Sequence, residues 1–161
     1  MVKKKSIISL NIKEIKTLDK HSGFFISTIY LYYMKNLIKK ILKEEIIKSF
    51  LTELNALNIQ KEDYVIFGSG PMAIKGLLEP ADLDVVVREN VYKKMFGNKE
   101  PIRIGNIELS YTWPNLDVEV LFDNVEWHDG YPFAPIDMVR HYKKQMNRQK
   151  DIEDLNLLNP G

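Results

Sequence analysis

A chain of 161 residues with 45% apolar and 28% charged content suits one domain with a real core, or one domain plus an appendage. Its 23 basic and 22 acidic side chains leave a formal charge of +1, so no global field demands a nucleic acid or a membrane surface. Cysteine is absent, which excludes disulfides, thiolate zinc sites and cysteine nucleophiles.

The most apolar early stretch, GFFISTIYLYY at Gly23 to Tyr33, falls short of the ~20 residues that a membrane span needs. Lys3 to Lys5 precede no small-residue cleavage site, so the expectation is a cytoplasmic protein without a membrane partner. Residues 1–33 show little sustained period and end in a β-prone aromatic cluster. They read as an extension, either poorly ordered or upstream of a native start at Met34. Residues 34–161 read as a single domain.

From Met34 the pattern is clear. Leu37, Ile38, Ile41, Leu42, Ile46, Ile47, Phe50, Leu51, Leu54 and Leu57 recur at helical spacing, with lysines and glutamates between them. DYVIFGSG then reads as a strand ending in a turn. Pro71 suits the first turn of a helix over Met72 to Leu78, which Glu79-Pro80 ends. DLDVVV is a second, β-branched strand. Asn90 can cap a helix over Val91 to Phe96, closed by Gly97-Asn98. PIRIGNIELSYTW reads as a hairpin or bent strand around Gly105-Asn106. NLDVEVLFDNVEW fits either a strand or a helix, and HDGYPFAP reads as a loop. Ile136 to Met146 and Asp151 to Leu158 read as two helices with a basic stretch between them.

The chemistry concentrates in VIFGSGPMAIKGLLEPADLDVVV. Asp82 and Asp84 are two apart in a strand and share one face, although aspartate is depleted in strands and costly to bury. Such a pair repels unless a proton or cation lies between them, and magnesium prefers carboxylate oxygens while keeping substrate phosphates as further ligands. Free N–H groups of a glycine turn and a helix N-terminus bind phosphate, and Gly68, Ser69 and Gly70 form such a turn here. A phosphate cradle beside paired carboxylates is equipment for phosphoryl or nucleotidyl transfer. Taken singly, a Gly-Ser-Gly turn or an Asp-x-Asp is more often structural. No dinucleotide fingerprint and no Walker loop is present.

Gly68-Ser69, a helix, then Asp82-x-Asp84 in a strand resembles the signature of the nucleotidyltransferase superfamily related to DNA polymerase β. IGNIELSYTW, DGYPFAPID and YKKQMNRQKDIEDLNLL extend the resemblance towards the small stand-alone nucleotidyltransferases of the AbiEii toxin type, over residues 34–158. It implies an α/β fold: a mixed sheet flanked by helices, with an N-terminal amphipathic helix and further C-terminal helices. It also implies a third carboxylate on a later strand. Glu108 matches that pattern, with Asp117 and Glu119 as alternatives if LDVEVLF is a strand, and as surface charges if it is a helix. Lys143, Arg148 and Lys150 match the family's closing segment. They can reach a triphosphate, or equally lie on a solvated face paired with Asp151 and Asp154.

The implied enzyme moves a nucleoside monophosphate from a nucleoside triphosphate to an acceptor hydroxyl. Asp82, Asp84 and Glu108 would hold two magnesium or manganese ions, and the setting would be toxin–antitoxin or defence. The acceptor (protein, RNA or small molecule) is open, as is a partner protein. The rival from another class is an inactive nucleotide-binding or antitoxin-like module; a nucleic-acid binder fits the balanced charge least. His128 and His141 have no partner spacing. Trp113, Trp127, Tyr131 and Phe133 read as core or pocket wall, with stacking on a base as the sharper alternative.

Overall fold

The computed structural model describes residues 25–159. The chain divides into two units, residues 1–41 and residues 42–161. The described part of the first belongs to a helix, α1 (Phe25–Ala56), which continues into the second. The aromatic segment before Met34 is therefore helical from Phe25 onward, contrary to its β-prone reading. No proline or glycine interrupts that stretch, and intrinsic preferences of its residues are only weak priors. The rest of the expected extension, residues 1–24, lies outside the described residues.

In the second unit, α1 buries Ile47, Phe50, Leu51 and Leu54 while Leu42 stays exposed. A 3-10 turn, Lys61–Asp63, leads into β1 (Tyr64–Ile66). After the Gly68-Ser69 turn comes α2 (Gly70–Ile74), then β2 (Leu83–Val87) and α3 (Glu89–Phe96). A hairpin of β3 (Ile102–Ile104) and β4 (Ile107–Ser110) follows. The chain continues through α4 (Val118–Asp123), β5 (Glu126–His128) and β6 (Tyr131–Phe133). It closes with α5 (Ile136–Met146) and α6 (Gln149–Leu158).

Some boundaries differ from the sequence reading. Helix α2 stops at Ile74 rather than Leu78, because Gly76 turns the chain at φ +73°. Helix α3 begins at Glu89 with Arg88 at its N-cap, so Asn90 lies inside it. The ambiguous segment resolves into α4 followed by β5. HDGYPFAP is not a simple loop: Asp129 and Gly130, both at positive φ, turn the chain between β5 and β6.

The six strands form one mixed sheet in the order β3-β4-β2-β1-β6-β5. Its central strands alternate between two cores. Tyr64, Ile66, Leu83, Val85, Val87, Ile107 and Leu109 pack with α1 and Tyr92. Val65, Phe67 and Val86 pack with Met72, Leu121, Val139, Tyr142 and Leu158, from α2, α4, α5 and α6. The fold is thus an α/β sheet flanked by helices.

Candidate active site

Strand period puts Asp84 on the opposite face from Leu83 and Val85, and so on the side of α5 and α6. The register then collects its neighbours. Asp84 faces Glu108 across the parallel β2–β4 pair, and Glu108 faces Arg103 across the antiparallel β3–β4 pair. Asp82 lies one residue before β2. The turn after β1 reaches the same end of the sheet, where the Phe67 N–H donates to the Asp84 carbonyl at 2.9 Å. Asp82, Asp84, Glu108 and the Gly68-Ser69 turn therefore form one site.

Gly68 is at φ +58°, and a Cβ built on it would fall on the Asp84 carboxylate, 2.8 Å from the carboxyl carbon. Only glycine lets the turn and carboxylate approach this closely. Gly70 plays a different part. Its N–H donates to the Phe67 carbonyl at 3.1 Å, and a Cβ there would lie 2.5 Å from Ile66 Cγ2. It is a packing glycine with its amide engaged. Ser69 is buried at the N-cap of α2, and its side chain makes no capping bond.

Of the three carboxylates, Asp84 has no cation in contact with it among the described residues. Burial first, then the charges of Asp82 and Glu108, push Asp84 up to about 6, an effect that Lys150 and Lys143 partly offset. Arg103 supplies the contact cation. Its guanidinium donates to Asp82 Oδ2 at 2.6 Å and to Glu108 Oε2 at 2.9 Å. Among the described residues no three acidic or histidine side chains converge in ion-holding geometry; the guanidinium stands between two of them instead. The donor set nevertheless suits a hard divalent cation. It is all carboxylate oxygen, it already holds a cationic group, and the glycine beside it leaves room for Asp84.

The closing basic residues separate. Lys143 is buried, with its ammonium 2.7 Å from Asp154 and 3.7 Å from Asp151, so it acts on the site through its field and not by contact. Arg148 caps α6, its Nε donating to Asp151 Oδ2 at 2.7 Å and a terminal nitrogen to Oδ1 at 3.1 Å. Burial alone would raise Asp151, but these bonds and Lys143 hold it below the usual carboxylate range. Arg148 is exposed and senses Asp84, and Lys150 is exposed in the first turn of α6.

Asp117 and Glu119 are placed elsewhere, because LDVEVLF is helical. Asp117 caps α4 by accepting from the Glu119 and Val120 N–H groups, and Glu119 is exposed, 3.7 Å from Arg88. Trp113 packs edge-on against Phe67 and Tyr142, with ring centroids 5.4 and 6.2 Å away, forming an apolar wall next to the turn. Trp127 is exposed, Phe133 is core, and Lys61 lies over the Tyr131 ring. His128 is half-buried against Phe133, and exposed His141 lies beside Gln145. An open hollow of about 400 Å³ lined by residues 55 and 58–62 contains none of the candidate site residues.

Comparison with protein-family models, curated proteins and solved structures found no match for this chain.

Two contributors escape a reading of motifs. Arg103 was legible in principle: a two-residue Gly105-Asn106 turn sets position 103 opposite position 108. Glu53 was not. It reaches from α1 to accept from the Asn106 backbone N–H at 3.0 Å and side-chain amide at 2.8 Å, tying down the turn that carries Arg103 and Glu108. No local pattern announces a contact over that sequence distance.

Proposed function

We propose that the chain is a metal-dependent nucleotidyltransferase, moving a nucleoside monophosphate from a nucleoside triphosphate to an acceptor hydroxyl. The observation that carries this reading is the packing of Asp84 on Gly68, with Asp82 and Glu108 beside it. Asp84, a buried carboxylate with two more beside it, is built against a glycine turn.

Asp82, Asp84 and Glu108 are the residues that would hold magnesium or manganese, leaving metal positions open to phosphate oxygens. Two such ions, when bound, neutralise charge at the α-phosphate and lower the pKa of the acceptor hydroxyl. Gly68 and Ser69 line the turn on which the phosphates lie, and Gly70 holds that turn in shape. Arg148 and Lys150 add positive charge beside Asp84, where it stabilises charge developing in the transition state. Trp113 offers an aromatic surface for a base. The acceptor class is protein, RNA or a small molecule, and the resemblance to AbiEii-type nucleotidyltransferases supports a toxin–antitoxin or defence setting.

One observation favours a second reading, a nucleotide-binding or antitoxin-like module without turnover. Arg103 neutralises two of the three carboxylates from within the chain. Equilibrium binding of labelled nucleoside triphosphates, with and without magnesium or manganese, tests the site common to both readings. Binding is expected to need metal and to disappear in Asp82→Asn/Asp84→Asn. Equal retention by both proteins, or by neither, would overturn the site assignment.

A further inference from the structure

Arg103 deepens this reading and rests on it. The residue lies on β3, the edge strand of the sheet, and the side chain is 51% exposed. One terminal nitrogen bridges Asp82 Oδ2 and Glu108 Oε2, the oxygens that a divalent cation would need to bring together. The cross-strand register aims Arg103 at Glu108, and the Glu53–Asn106 contacts fix the turn that sets this register. The guanidinium is therefore held where the metal would sit.

We propose that Arg103 is an exchangeable internal counter-cation: it fills the metal position in the free protein, and metal enters only as the guanidinium leaves. A guanidinium and a divalent ion cannot share the same two oxygens, since like charges at that range repel. Departure is easy, because an exposed ion pair is weak and the edge position opens directly to solvent. The device screens the carboxylates of the free protein from one another. It also keeps metal from binding tightly until a nucleotide arrives with its own charge.

The test is Mn²⁺ binding by the full chain without nucleotide, followed through the electron paramagnetic resonance signal of the free ion. Arg103→Gln is expected to bind Mn²⁺ about tenfold tighter than the unsubstituted chain, the order expected when two weak, exposed ion pairs no longer have to break before metal enters. Arg103→Lys, which keeps the charge, stays near the unsubstituted value. Unchanged or weaker binding by Arg103→Gln overturns the exchange while leaving the metal site standing. Absence of Mn²⁺ binding in all three proteins overturns the metal reading itself, and the exchange with it. A measurement without substitution guards against a misfolded variant: saturating Mg²⁺ is expected to shift the Arg103 guanidinium nuclear magnetic resonance signal of the unsubstituted chain. An unmoved signal at saturation contradicts the proposal.

Discussion

The Asp84 carboxylate lies so close over Gly68 that any side chain at that position would displace it. This contact joins the turn after β1 to the start of β2 and fixes the spacing between the glycine turn and the carboxylates. Gly68→Ala meets both the collision and a left-handed backbone at φ +58°. The expected loss of stability is about 2 kcal/mol or more, read from urea unfolding. A variant as stable as the parent would mean that the turn is free to move away from Asp84.

Asp84 carries a pH signature. The folded chain holds its carboxyl near 6 instead of the ordinary 3.8, so between those values it retains a proton that the unfolded chain releases. Stability from this group is therefore lost as pH rises through that window and stays low above it. Asp84→Asn is expected to be more stable than the parent at pH 8, by on the order of 2–3 kcal/mol, with the difference fading towards pH 4. Urea unfolding at both pH values measures this, in metal-free buffer. A variant less stable at pH 8 would contradict the upward shift of Asp84.

Lys143 is committed to two buried aspartates, Asp151 and Asp154. Removing the cation leaves both carboxylates without it, so Lys143→Met is expected to cost about 3–5 kcal/mol. Adding Asp154→Leu to that variant should restore part of the loss, because one uncompensated charge goes with it. Unfolding midpoints of the single and double variants decide the matter. A harmless single substitution would mean that Lys143 escapes to solvent.

The fold was legible where pattern is strong. Helical spacing from Met34 onward, the β-branched run at Leu83 to Val87, and the hairpin at Gly105-Asn106 all appear as elements. Asp82 and Asp84 stood out as a carboxylate pair at the head of an apolar strand, whereas Glu108 was singled out through the family resemblance. What sequence could not supply was pairing across distance. Phe133 joins β1 in parallel only through tertiary contact, and its short strand was hidden in a glycine- and proline-rich stretch. LDVEVLF satisfies both periods, and Asp117 decides for helix by capping it. The basic closing segment gave its charges but not their partners: two aspartates of the following helix take up Lys143, leaving Lys150 exposed.

Glu53 supplies a prediction about order rather than chemistry. Its carboxylate sits below the usual range because it accepts from the Asn106 backbone and side chain. Glu53→Ala is expected to speed amide hydrogen exchange at Asn106 and loosen the β3–β4 turn, with little change in the central strands. Unchanged exchange at Asn106 would remove Glu53 from the support of the site.

Nucleotidyl transfer is tested by offering each α-labelled nucleoside triphosphate, with magnesium or manganese, to purified protein and a cell lysate. Asp82→Ala/Asp84→Ala serves as the control. Metal-dependent label is expected on protein, RNA or a small molecule with the unsubstituted chain only, and the labelled species names the acceptor class. Nucleotide bound but never transferred, across all four bases and both metals, would contradict the enzyme and leave the binding module.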